Sequence, residues 1–183
     1  MKPTEELRAE HEGIVLILDV LEKISENITS GEAVQMEHIK QILDFLQVFV
    51  DKCHHGKEED ILFPALEEAG VPNVGGPIGV MLSEHDRGRK FIGDMNTLIR
   101  SHEAGNTEAL LIFTTPALQY MDLLRSHIWK ENSVLFPMAD EKLSEAKQEE
   151  ISREFERLEE ERIGVGKHEA YHAMLKELSN TYL

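Results

Sequence analysis

The chain has a single cysteine in 183 residues, Cys53, so it can form no internal disulfide framework and no all-thiolate zinc site. Basic residues are also scarce. Lys and Arg total 19 against 35 Asp and Glu, and the formal charge of −16 repels a phosphate backbone rather than neutralising it. Nucleic acid and membrane surfaces are therefore not expected as partners. Long apolar runs are missing: the longest near the start, Ile14 to Leu18, is too short for a signal core or a membrane span, and a cytoplasmic protein is expected. With no thiolate cluster available, any metal site must be built from the nine histidines and the carboxylates.

Glycine and proline are concentrated rather than spread. The breaker clusters are Ser30-Gly31, Gly70 to Gly79 and Gly105-Asn106, and between them apolar residues recur at helical spacing. The pattern predicts an all-α protein, an up-down-up-down four-helix bundle with a C-terminal helical extension. The first helix is expected from Thr4, as N-cap, to Asn27, and the second from Glu32 to Leu62. A third opens at Pro77, a residue favoured in a first turn, and runs to His102; the fourth covers Thr107 to Phe136. Residues 1–140 would form the bundle. Residues 141–183 would form the extension, a charged run from Glu145 to Arg162, a break at Gly164-Val165-Gly166, and a last helix to Tyr182. The extension is expected to fold along the bundle, and the plain reading of its charge run is a solvated helix face with no chemistry.

An internal repeat carries the most information. Residues His54 to Pro64 align without gaps on His127 to Pro137, and both copies read H-x-x-K-E-x-x-[IV]-L-F-P. Glu10-His11-Glu12 recurs as Glu84-His85-Asp86 at nearly the same offset. Helices one and two thus match helices three and four, as two hairpins facing each other across a pseudo-two-fold axis.

Residues four apart on an α-helix lie about 6 Å apart along the axis and about 40° apart around it, so His54 and Glu58 share a face, as do His127 and Glu131. If helices two and four face each other across the core, these four side chains meet, and His11 and His85 join them. A lone histidine on an apolar face is more often a hydrogen-bonded core residue, and a lone H-x-x-x-E pair arises by chance. Two copies in one eleven-residue frame, each preceded by a Glu-His pair, favour a metal site of four imidazoles and two carboxylates. Ligation would also relieve the cost of burying those groups unpaired. The Leu-Phe-Pro that ends each frame is read as core packing and helix termination, with the Phe and Leu side chains walling the site from water.

These residues resemble the hemerythrin-like family, the HHE cation-binding domain, over roughly residues 5 to 140. The resemblance implies a four-helix bundle holding two iron ions with an oxo or hydroxo bridge, manganese or zinc being chemically possible. It implies Glu58 and Glu131 as bridging ligands, His11 and His54 mainly on one iron, and His85 and His127 on the other. Oxygen-carrying members have a further histidine one turn after the third-helix ligand. Here that position is Arg89, which cannot ligate, and the second frame carries Glu131 four residues after its histidine rather than an Asp five residues after it. The pattern is closer to iron-sensing, nitric-oxide-responsive and iron-sulfur-repair relatives.

Candidates for a further ligand are His55, His38, His168 and His172. His102 is expected at the surface in the last turn of helix three. Cys53 is either a redox reporter or a small buried hydrophobe, with packing favoured, and Tyr120 and Tyr171 are candidate phenols near the metals. The function expected is a di-iron protein that binds or senses a small diatomic or peroxide ligand, or handles iron. The alternatives are an enzyme acting on nitric oxide or peroxide, and an iron-responsive interaction module read out by the C-terminal helix.

Overall fold

In the computed structural model, which describes residues 1–164 and 166–183, helix α1 spans Pro3–Thr29. Its cap is Lys2, extended in conformation, whose backbone N–H donates to Glu5 Oε2 at 2.8 Å. Pro3, which has no N–H to satisfy, takes the first turn. Thr4, expected as the cap, lies inside the helix, and its hydroxyl donates to Asp140 Oδ1 at 2.6 Å.

The second rod starts at Met36, later than the expected Glu32, and outruns its expected end at Leu62. It comprises α2 (Met36–Asp44), a π-helical stretch π1 (Phe45–His55), a second one π2 (Glu58–Leu62) and α3 (Phe63–Glu68), without a break in the helical path. The third rod is α4 (Pro77–Glu103). The fourth begins at Ala109 and likewise passes its expected end: α5 (Ala109–Lys130), π3 (Glu131–Leu135) and α6 (Phe136–Lys142).

Neither Pro64 nor Pro137 stops its helix, and the π turns supply the reason. The N–H groups of Phe63 and Phe136 bond five residues back, to the carbonyls of Glu58 and Glu131. This widened turn makes room for a ring that would otherwise press on the carbonyl four residues back. The second half of the repeated frame is therefore a π turn with a proline behind it.

The direction of the rods follows from their apolar residues, which fall into two clusters. One holds Leu7, Leu62, Phe63, Ile78, Leu135 and Phe136; the other holds Ile14 to Ile28, Ile39 to Val50, Ile92 to Ile99 and Phe113 to Ile128. Following the chain, α1 and α4 pass from the first cluster to the second, and the second and fourth rods pass back. That alternation is the up-down-up-down bundle. In every rod the candidate ligands lie where one cluster gives way to the other, so they form a polar layer between two apolar cores.

After Ser144, whose hydroxyl accepts from the Lys147 N–H, α7 (Glu145–Arg162) and α8 (Lys167–Tyr182) return along the bundle. Ile151 and Phe155 join the first core; Tyr171, Leu175 and Leu178 join the second. Gly56 permits a close approach here: a Cβ at that position would stand 2.4 Å from the Arg162 guanidinium, which donates to the Lys52 carbonyl at 2.9 Å. The expected break between the two helices contains Gly164 and Gly166, both at positive φ; Val165 lies outside the described residues. No strand occurs among the described residues, and no helix is long and apolar enough to cross a membrane.

Candidate metal centre

All six residues expected from the repeat converge in the polar layer, and each is at most 2% exposed. The imidazoles form two pairs. His11 Nε2 and His54 Nε2 are 3.1 Å apart, and so are His85 Nε2 and His127 Nε2. Two ligand atoms each about 2.1 Å from one ion and at right angles to each other stand about 3.0 Å apart. The pairs therefore have the spacing of nitrogens that share a cation.

Each carboxylate divides its oxygens between the pairs. Glu131 Oε2 lies 3.1 Å from His11 Nε2, and its Oε1 lies 3.1 Å from His127 Nε2. Glu58 Oε1 lies 3.7 Å from His54 Nε2, and its Oε2 lies 3.4 Å from His85 Nε2. All four oxygens are buried, and with the imidazole protons held on Nδ1 none of them accepts a hydrogen bond. Buried carboxylate oxygens without donors are costly and uncommon. Two cations, one at each imidazole pair and both spanned by the carboxylates, would satisfy every one of them.

The outer nitrogens show why the Nε2 atoms are the ones presented. His54 Nδ1 lies 2.6 Å from Glu10 Oε2, and His127 Nδ1 lies 2.9 Å from Glu84 Oε2. His85 Nδ1 is 2.7 Å from Glu59 Oε1, and His11 Nδ1 is 2.9 Å from Asn132 Oδ1. An oxygen acceptor at Nδ1 keeps the proton there and leaves Nε2 with a lone pair for a cation. These supports obey the repeat as well. Glu10 and Glu84 precede the histidines of helices one and three yet hold those of helices two and four, and Glu59 and Asn132 occupy the same position of the frame.

The lysines of the frame complete the pattern. Lys57 Nζ donates to Glu10 Oε1 at 2.6 Å, and Lys130 Nζ pairs with Glu84 Oε1. Burial alone would raise the pKa of Glu10; the hydrogen bond from His54 and the charge of Lys57 bring it down to about 2. Phe136 stacks on His11 (centroids 5.5 Å apart) and Phe63 on His85 (5.9 Å), so the Phe of each frame covers the imidazole from the other hairpin. The sequence displayed Glu10, Glu84, Lys57 and Lys130 as repeated letters, but their partners depend on which rods face each other.

The two halves are not equivalent. His55 belongs with Glu58, His85 and His127 in one cluster of closely spaced potential ligand atoms, whereas the matching position in the second frame is Ile128. Its ring stacks on His85 (3.8 Å), and its Nδ1 is buried and unpaired, 3.6 Å from Asp51 Oδ1. Burial and the neighbouring imidazoles push its pKa well below 6.5, so it is neutral and available as a donor. Arg89, in place of a ligand, ties Asp51 (2.8 Å) and Glu59 (2.6 Å).

The remaining candidates are placed elsewhere. His38 is buried against the Tyr182 hydroxyl at 2.8 Å, Tyr171 donates to Asp44 at 2.9 Å, and His168 and His172 lie on α8. His102 is in the last turn of α4 but half-buried rather than at the surface. Cys53 is buried in the bundle, and burial pushes its thiol up to about 12. Tyr120 is fully buried, and its hydroxyl has no partner.

A helical bundle that presents imidazole pairs and shared carboxylates in one dry layer is a metal-binding protein in its architecture. The chain belongs to the hemerythrin family: the hemerythrin HHE cation binding domain matches residues 2–139. It is also similar to curated proteins named iron-sulfur cluster repair protein YtfE, among them those of Escherichia coli O157:H7, Salmonella paratyphi B and Escherichia coli K12. Each is 37% identical over 92 residues, which is 47% of this chain and 40% of the relative, so well under half of each relative is matched. No solved structure was found to match the chain.

Proposed function

We propose that residues 1–140 form a di-iron unit and that the protein binds or senses a small diatomic or peroxide ligand in the cytoplasm, in the handling of iron or of damaged iron-sulfur clusters. His11 and His54 would hold one ion, His85, His127 and His55 the other, with Glu58 and Glu131 shared. The observation that carries this reading is the division of each buried carboxylate between the two imidazole pairs, with no other donor to either. The names of the relatives favour iron-sulfur chemistry over oxygen transport, as does Arg89 in place of a further histidine.

The chain's own residues do three things. Glu10, Glu59, Glu84 and Asn132 fix the ligand imidazoles in one tautomer. Phe63 and Phe136 exclude water from the histidines they cover. The unequal donor sets, two imidazoles on one side and three on the other, leave the His11–His54 side less saturated and so open to a small ligand. Iron held there would supply one-electron redox chemistry and a free coordination position.

Metal analysis with an optical spectrum of the purified protein tests the reading. About two irons per chain, lost in the Glu58→Ala, Glu131→Ala variant, are expected, with a spectral change on adding nitric oxide or peroxide. A folded protein without metal, or the same metal content in that variant, would overturn it. The lower saturation of one side also fits an enzyme acting on the same ligands, and stopped-flow spectra under excess nitric oxide or peroxide separate a single binding event from turnover.

A further inference from the structure

The repeat that relates the two hairpins extends to their outer faces, and there the hairpins differ. On the first hairpin α7 is seated. Its Glu159 meets the fully buried Lys57 at 2.9 Å, and the Lys57 ammonium lies 5.7 Å over its Phe155 ring. Its Arg162 pairs with Asp60 and donates to the Lys52 carbonyl at 2.9 Å. Gly56 lets that guanidinium approach, and Ile61 lines a crevice with Leu158 beside it. From α1, Glu6 reaches the same Lys57 at 2.7 Å.

Carried across by the repeat, Gly56, Ile61 and Glu6 become Trp129, Val134 and Val80. Trp129 is 64% exposed, Val80 45% and Val134 44%. Exposed apolar groups scattered singly need no explanation, but these three stand where the other hairpin is covered. Lys130 keeps its Glu84, while nothing at Val80 replaces the carboxylate of Glu6. Along α4, Arg87 and Lys90 are exposed where α1 has Gly13 and Leu16, which line the cavity closed by α7 and α8. The nearby acids Glu84 and Asp86 already meet Lys130 and Arg89. An apolar patch edged with basic side chains thus lies open on a chain whose formal charge is −16.

We propose that the face formed by Val80, Trp129 and Val134 docks an acidic amphipathic helix of a partner protein, seated as α7 is on the other hairpin. Its apolar side chains would meet Trp129 and Val134, and its carboxylates would face Lys130, Arg87 and Lys90. A charge of −16 on each chain opposes a second copy as the occupant. Trp129 is the only tryptophan of the chain and reports on the face directly. The full chain is titrated with a peptide of residues 145–161, the glutamate-rich sequence of the helix seated on the first hairpin, crosslinked on its polar side to hold it helical. Trp129 emission should move to shorter wavelength and saturate, with affinity falling as salt is raised. Val134→Asp, and separately Arg87→Glu with Lys90→Glu, should each weaken binding about tenfold or more with circular dichroism unchanged. No emission shift, or equally tight binding of the peptide with its glutamates replaced by glutamine, overturns the proposal. So does a shift that grows with protein concentration alone and accompanies dimers in sedimentation, which would give the face to a second copy.

Discussion

Lys57 and Lys130 occupy the same position of the repeated frame, so sequence alone assigns them equal weight; the structure does not. Lys57 is fully buried and meets Glu6, Glu10 and Glu159, the last from α7. The side chain of Lys130 is 35% exposed and, among the described residues, meets only Glu84. Lys57→Met keeps most of the side-chain volume but leaves Glu10 charged and nearly enclosed, which by the usual cost of stranding one member of a buried pair is about 3–5 kcal/mol. Lys130→Met breaks a pair open to water, worth about 1 kcal/mol at most. Urea unfolding of the two metal-free variants, followed by circular dichroism, should therefore separate them by at least about 2 kcal/mol. Adding Glu10→Gln to Lys57→Met should recover part of the loss, since the stranded charge goes with it. Equal destabilisation by the two lysine substitutions, or no recovery in the double variant, would refute the reasoning.

Cys53 should resist alkylation in the folded protein at pH 8, because its thiol is enclosed and held up to about 12; it should react at the rate of a free thiol only in denaturant, and rapid native labelling would contradict this. Tyr120→Phe removes a buried hydroxyl that has no partner, so stability in urea should be unchanged or higher; a loss of more than about 1 kcal/mol would reveal a hydrogen bond the account lacks. The metal-free protein should lose stability between pH 6.5 and 9. Burial lowers the His127 pKa, but Glu131 and Glu84 outweigh it and hold the group at about 10 against an ordinary 6.5. Its contribution is complete below pH 6.5 and falls as pH rises toward 10. Urea midpoints flat or rising across that window would count against the geometry.

The candidate site was legible where chemistry and repetition coincided. His54, Glu58, His127 and Glu131 stand on one helix face at a spacing that any helix enforces, and the second copy of the frame marked them as a set. The outer supports were visible only as letters. That Glu10 holds His54 rather than acting near His11 depends on the facing of two rods, which local spacing does not encode. The helix ends at Leu62 and Phe136 were misread for a related reason: proline stops an α-helix, and nothing in composition distinguishes the π turns that let Pro64 and Pro137 be passed. His55 was one candidate among four, singled out only once the bundle had brought it onto His85. The inequality of Lys57 and Lys130 comes from α7, which covers one half of a nearly symmetric bundle and not the other.

The central claim is that Glu58 and Glu131 span two metal ions, one at each imidazole pair. Anomalous diffraction at the iron edge from crystals of the iron-loaded protein tests it directly. The account predicts two peaks about 3.5–4 Å apart, the spacing common to two-metal sites, lying between the two carboxylates, with one beside His11 and His54 and the other beside His85 and His127. A single peak, or two peaks away from Glu58 and Glu131, would contradict it.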